Sequence, residues 1–285
     1  MLRTVMRVWQ AVSVWREAVC IVVCTLLPVK AASAADQLIF GVYPYLSSSQ
    51  TVEQFAPLGD HLAQALGRLV SLRSAPDFEK FVDRSSKAEY DIIFTAPHMG
   101  RLAEKRDGYH PVAQTGYSIV VVVLTRKDSP IKKLADLKGR TLATGAKLSM
   151  SYQIVDRELE KHDLTIGRDV RFVNTASFSN VLESLMRDEA DAGATGTLLW
   201  DKAPPEKQKA LHEIWRSQAV PGFLVMAHPR IGAAALKRLE QALFDFGNTP
   251  AGKTYFEKTQ QIDFRPVDAA TMKRIDPYTT VFGKP

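Results

Sequence analysis

Cysteine is almost absent. The chain's two cysteines, Cys20 and Cys24, lie near its N-terminus and none follows. Disulfides, thiolate metal sites and cysteine nucleophiles are thereby excluded from the rest of the chain. Six histidines are scattered without an H-E-x-x-H pair or anything comparable, so no metal centre is expected. The G-x-S-x-G nucleophile elbow and the G-x-G-x-x-G dinucleotide turn are missing, and neither catalysis, a cofactor nor nucleotide binding is expected. No lysine- or arginine-rich stretch with interleaved aromatics occurs beyond the N-terminus, which argues against nucleic acid as a partner. Internal repeats and low-complexity tracts are lacking too.

What is present begins with Arg3, Arg7 and Arg16, an uncharged and mostly apolar run from Ala18 to Val29, and the small residues Ala31-Ala32-Ser33-Ala34-Ala35. That order predicts a cleavable secretory signal over residues 1–35, cut after Ala34 or Ala35, with an uncleaved anchor as the competing reading. The apolar run is short for a membrane helix, which needs about 20 residues. Valine directly precedes each cysteine, where a lipid-attachment signal would want a small residue. Cleavage would remove Arg3, Arg7, Arg16 and Lys30 against Glu17 alone, so the net charge of +6 would fall to +3. The expected fate is export from the cytoplasm.

From "QLIFGVYPY" onward, short apolar runs alternate with helical patterns, the sequence form of an α/β fold with mainly parallel sheets flanked by helices. In the first predicted helix Phe55, Leu58, Leu62 and Leu66 recur at spacings of three and four, and Gly67 follows as a stop. A second series opens at "YSIVVVVLTR", an unbroken apolar run suited to a strand buried on both faces. Two series of similar size predict two lobes.

In open parallel sheets ligands bind beyond the carboxyl ends of the strands, where loops enter helices. Four such loops are rich in hydroxyls or aromatics: Tyr43 to Ser49, with Tyr45; Thr95-Ala96-Pro97-His98; Lys147 to Tyr152, with Ser149, Met150 and Ser151; and Thr175 to Ser179, with Ser177 and Phe178. Each would present unpaired helix amides and the positive end of a helix dipole to an anion. Plain helix capping by the serines is the competing reading at every one of them, and both stay open. His98 follows Pro97, a residue suited to the first helical position, and is either a donor to a ligand or a satisfied histidine.

Nearly all of the chain after residue 35 resembles the periplasmic phosphonate, phosphite and phosphate-binding proteins of ABC transporters, which have the two-lobed type II binding-protein fold. The resemblance is carried by "GVYPYLSSSQTVEQFAPLGDHLAQALG", "APDFEKF", "YDIIFTAP", "GYSIVVVVLTRKDSPIKKLADLKGRTLA", "SMS" and "APPEKQKALHEIWRSQAVPG". It implies the periplasm as the location, one lobe from residues 36–115 and 218–285, a second from 116–217, and two hinge crossovers near Gln114 to Tyr117 and Arg216 to Gly222. It also implies that Ser149-Met150-Ser151 matches the serine-threonine-serine helix start that seats the family's phosphonate group, and that Tyr117 matches a tyrosine opening the second lobe.

Four departures from the family stand out. Phe78 replaces a frequent tyrosine, Phe178 replaces a phosphonate-binding histidine, Met150 replaces the middle hydroxyl, and Leu198 and Phe223 fall where aminophosphonate binders carry acidic residues. Together they remove donors for an anion and partners for an ammonium, and they make the pocket more apolar. The expected ligand is a small anion with an apolar or uncharged remainder, bound by a monomer that serves a membrane ABC permease. A sensing subunit for a histidine kinase or chemoreceptor is the alternative. A transferase of the porphobilinogen-deaminase type on the same fold would need the cysteine that is missing.

Overall fold

The computed structural model describes residues 37–175 and 178–282. The expected signal segment, with both cysteines, and Ser177 lie outside the described residues, and Phe178 is described only as a helix residue without its side chain.

The chain runs β1 (Gln37–Val42), α1 (Ser48–Leu66), β2 (Leu69–Arg73), α2 (Phe78–Ser86), β3 (Ile92–Thr95), α3 (Pro97–Asp107) and β4 (His110–Thr115). There follow β5 (Val121–Arg126), β6 (Thr141–Thr144), α4 (Met150–Glu160), β7 (Arg171–Asn174), α5 (Phe178–Met186), β8 (Ala192–Gly196), α6 (Thr197–Trp200), α7 (Pro205–Ala210) and β9 (Leu211–Arg216). Last come β10 (Leu224–Ala227), α8 (Ala233–Phe246), α9 (Pro250–Thr259), β11 (Phe264–Arg265), α10 (Ala269–Ile275) and a 3-10 helix over Asp276–Phe282. One sheet has the order β11-β4-β10-β3-β1-β2 and the other β7-β6-β8-β5-β9.

Both sheets are mixed, where mainly parallel sheets were expected. β1 runs parallel to β2 and β3, and β6 parallel to β7 and β8. β10 is antiparallel to β3 and β4, and β5 is antiparallel to β8 and β9. The cause lies in the crossovers. Strands feeding a helix run toward the cleft, whereas β5 and β10 enter their sheets from the cleft after the chain has changed lobes, and so run the other way.

Local chemistry accounts for the elements. Ser47 and Gln50 form a reciprocal capping box at the start of α1, and Gly67 ends it with φ 63°. Its stripe of Phe55, Leu58, Leu62 and Leu66 is buried in the first lobe's core with Phe40, Phe94 and Phe246. The run of valines in β5 serves two cores by alternation: Val121 and Val123 face one cluster with Leu142 and Val155, while Val122 and Leu124 face another with Leu182 and Leu185.

Two segments join the sheets side by side. Ile119 and Val220 exchange backbone hydrogen bonds of 2.9 Å each, and Thr115 N–H donates to the Phe223 carbonyl at 2.8 Å. At Gly222 a Cβ would overlap the Tyr117 carbonyl oxygen, so only glycine lets the two strands lie this close. The C-terminal 3-10 helix forms a third connection. Arg101 and Lys105 on α3 hold the Asp276 carboxylate at 2.6 and 2.7 Å, and Arg157 on α4 donates to the Pro277 carbonyl at 3.0 Å.

Candidate functional site

The ends of β1, β3 and β8 and the start of α4 converge on a cavity of about 290 Å³ between the lobes. From the first lobe, Tyr43, Tyr45, Phe78 and Phe223 line it. The Tyr43 and Tyr45 rings stack with centroids 4.6 Å apart and 12° between planes, Phe78 stacks on Tyr43 at 6.0 Å, and Phe223 stacks on Tyr45 at 5.8 Å. Burial raises the pKa of the Tyr43 and Tyr45 hydroxyls far above the ordinary tyrosine value, so both stay neutral. This wall is aromatic, with hydroxyls that do not ionise.

The second lobe contributes Tyr117, Leu148, Ser149, Met150, Ser151, Thr195 and Leu198 to the same cavity. Ser149 is the N-cap of α4, and its Oγ accepts from the Tyr152 N–H at 3.3 Å. Ser151 is buried, and its hydroxyl makes no hydrogen bond to another described residue. The helix start thus offers one hydroxyl engaged in capping and one that is free, beside the positive end of an eleven-residue helix. Tyr117 Oη lies 3.5 Å from Thr197 Oγ1, and burial raises its pKa as well. Among the described residues no aspartate or glutamate lines the cavity, and Lys258 is the one charged residue of the lining.

Of the site residues expected from sequence, Ser149, Met150, Ser151, Tyr117, Tyr43, Tyr45, Phe78 and Phe223 all line the cavity. Three described ones do not. Thr95 is fully buried at the end of β3, paired with Leu224 of β10, and its next neighbour, Ala96, takes the place at the cavity wall. Tyr152 turns into the second lobe and packs edge-on against Phe172 at 5.0 Å. His98 is fully buried, with Nε2 2.9 Å from the Leu148 carbonyl and its ring stacked on Phe282 at 5.7 Å. Desolvation lowers its pKa to about 4, so it is neutral near pH 7 and cannot supply positive charge to an anion.

Sequence reasoning missed Gln54, Thr195, Lys258, Thr259 and Gln261, all of which line the cavity. None belongs to a motif, and three of them come from the C-terminal part of the chain, far in sequence from the helix start that lines the same cavity. The chain also carries one G-x-x-x-x-G-K-[ST] spacing, Gly247 to Thr254, against the expectation of no nucleotide signature. A phosphate-binding loop follows a strand, whereas this stretch joins α8 to α9. Thr249 caps α9 there, accepting from Gly252 N–H at 2.9 Å, and Gly252 is required because a Cβ would overlap the Phe246 backbone. The spacing is that of a tight helix–helix turn.

Residues 40–272 match the family described as "ABC transporter, phosphonate, periplasmic substrate-binding protein". The chain belongs to that family. It is 26% identical over 256 residues to the phosphonates-binding periplasmic protein of Escherichia coli (strain K12), covering 84% of this chain and 75% of that one. Its fold is that of PhnD1 from Prochlorococcus marinus (MIT 9301), solved with methylphosphonate, with TM-score 0.75, 16% identity, and 87% and 98% of the two chains covered. It is also that of XAC2383 from Xanthomonas citri, solved with ATP, with TM-score 0.74, 23% identity, and 86% and 96% covered. This binding protein is therefore the periplasmic substrate-binding component of an ABC transporter, working with a membrane permease, and is not an enzyme. The sensing alternative finds no support among these relatives.

Proposed function

We propose that the binding protein captures a phosphonate-type organic anion whose acid group sits on Ser149, Ser151 and the first amides of α4, with its carbon frame against Tyr45, Phe78 and Phe223. The observation that carries this reading is the pairing in one cavity of a helix start bearing two serines with an aromatic wall and, among the described residues, no carboxylate. The hydroxyls and amides suit an oxyanion, and the wall suits an uncharged remainder. An ammonium would be buried there without a counter-charge, which is strongly unfavourable. Ligand contacts made to both lobes only in the closed state supply the differential affinity that shifts the protein toward closure. We further propose that residues 1–35 export the chain and that it acts as a monomer.

A thermal-shift series tests this, because a ligand that binds only the folded protein raises its melting temperature by mass action. Methylphosphonate, longer alkylphosphonates, phosphate, phosphite, alkylsulfonates and 2-aminoethylphosphonate are compared at equal concentration. The alkylphosphonates are expected to raise the melting temperature most and the amine-bearing one least. Tight binding of 2-aminoethylphosphonate, or no response to any oxyanion, would overturn the proposal.

A further inference from the structure

Two buried polar side chains of the cavity have no protein partner, and they come from opposite lobes. Gln261, at 3% exposure, leaves its Oε1 without a hydrogen bond, and Thr195, at 0%, leaves its Oγ1 without one. Both residues line the cavity. Buried polar atoms are nearly always paired, and an unpaired one is unfavourable enough to need a reason.

The backbone around Gln261 is built to hold that side chain where it is. Gln260 and Ile262 on either side take left-handed conformations, with φ 61° and 73°. For Ile262, a β-branched residue, such a φ is strained. Between them, Gln261 N–H donates to Thr259 Oγ1 at 3.4 Å, and the Gln261 carbonyl accepts from Tyr117 N–H at 3.1 Å and Asp263 N–H at 3.0 Å. Every main-chain group of Gln261 is thus satisfied. Its buried amide oxygen is left for something in the cleft.

The chemistry of the missing partner follows from the two groups. A carboxamide oxygen only accepts, so it asks for a donor, while a threonine hydroxyl donates or accepts. A neutral donor fits, since among the described residues no carboxylate lines the cavity to balance a buried cation. A hydroxyl meets these demands. It also serves the amide in its other orientation, because its oxygen can accept from the amide nitrogen.

We propose that the natural ligand is a hydroxyl-bearing organophosphonate, in which Gln261 and Thr195 read a neutral O–H on the carbon frame while the acid group occupies the start of α4. This rests on the oxyanion reading given above and adds the identity of the second polar group. Gln261 and Thr195 then set specificity: an alkyl analogue leaves both unpaired when the cleft closes over it, and an amino analogue buries its charge.

Calorimetric titration with matched pairs tests the proposal: ethylphosphonate against 2-hydroxyethylphosphonate, and propylphosphonate against 3-hydroxypropylphosphonate. In the wild-type protein at least one hydroxyl ligand is expected to bind about tenfold more tightly than its alkyl partner, the size of one buried hydrogen bond gained. In Gln261→Leu that ratio should fall to near one, while the melting temperature of the ligand-free variant is no lower than that of the wild type, since the side chain makes no internal bond. Thr195→Val gives a second, nearly isosteric reading of the same ratio should Gln261→Leu fold poorly. Equal or tighter binding of the alkyl ligands by the wild type, or a hydroxyl preference that survives in both variants, would overturn the proposal and leave the oxyanion reading standing. If none of the four phosphonates binds, both fall.

Discussion

His98 of the first lobe reaches across the cleft to the second, with its Nε2 2.9 Å from the carbonyl oxygen of Leu148. Leu148 directly precedes Ser149, so the bond ties the serine-bearing helix start to the opposite lobe. The neutral ring must donate through Nε2–H, because a carbonyl only accepts. We expect His98→Phe, which keeps a ring beside Phe282 but removes the donor, to weaken phosphonate binding about tenfold through loss of this bond in the closed state. Calorimetry gives the affinity and small-angle scattering the extent of closure. A variant with wild-type affinity and wild-type closure would show that the bond is incidental.

The same residue makes stability depend on pH. Burial lowers the His98 pKa to about 4 in the folded protein, against about 6.5 in the unfolded chain. Between those values the unfolded state binds the extra proton, so stability falls as pH drops from about 6.5 toward about 4. The loss between pH 7 and pH 5 is about 2 kcal/mol from this group, an order-of-magnitude figure. Urea unfolding at the two pH values should show a smaller decline for His98→Gln than for the wild type. Asp276, held down to about 2 by Arg101 and Lys105, loses its contribution only in more acid solution and does not confuse the comparison. Parallel declines in the two proteins would rule out His98 as the source.

Ser149 and Ser151 stand two residues apart and differ in what they do without ligand. Ser149 caps α4, so Ser149→Ala should lower stability by about 1 kcal/mol and weaken phosphonate binding. Ser151 bonds to no described residue, so Ser151→Ala should weaken binding by about tenfold with unfolding midpoint unchanged. Urea denaturation and calorimetry separate the two effects. Equal stability losses would mean that Ser151 also serves the helix.

These contrasts show what the sequence carried and what it could not. The stripe of Phe55, Leu58 and Leu62 and the valines of β5 were legible because local periodicity dictates which face is buried. Ser149 and Ser151 were legible because a helix start concentrates donors wherever it is placed. The direction of β10 was not, since it is set by where the chain returns from the other lobe, and no local pattern records that. For His98 the sequence left donor and satisfied histidine open, and only the fold distinguishes them: its loop does meet the cleft, but Ala96 faces the cavity while His98 turns toward Leu148. Thr195 and Gln261 had no signal at all. Their importance lies in lacking partners, and that is a property of the folded arrangement alone.

Gly222 sits where the two crossovers touch. A methyl group there would overlap the Tyr117 carbonyl oxygen and stand 2.5 Å from Thr115 Oγ1, which itself accepts from the Phe223 N–H at 3.1 Å. Gly222→Ala should therefore spread the crossovers and lower stability by roughly 1–3 kcal/mol. Hydrogen exchange at Thr115, Ile119 and Val220 should rise more than in the sheet interiors, and closure around ligand should weaken. Unchanged exchange at these amides would show that the hinge accommodates the methyl group.

Met150 is the last point at which the chain can be tested against its own family. It lines the cavity between Ser149 and Ser151, is 7% exposed, and packs in the core cluster of the second lobe with Ile154 and Val155. Met150→Thr shortens that side chain and should lower stability by about 2 kcal/mol through lost packing. It also places a third hydroxyl at the helix start, where a hydrogen bond to a charged oxygen is stronger than one to a neutral group. Affinity for methylphosphonate should rise about tenfold, while affinity for longer alkylphosphonates should rise less, because Met150 supplies apolar surface to a longer frame. The two trends are measured in one calorimetric series. If methylphosphonate gains nothing, the acid group does not rest at the start of α4, and the orientation proposed for the ligand must be reversed.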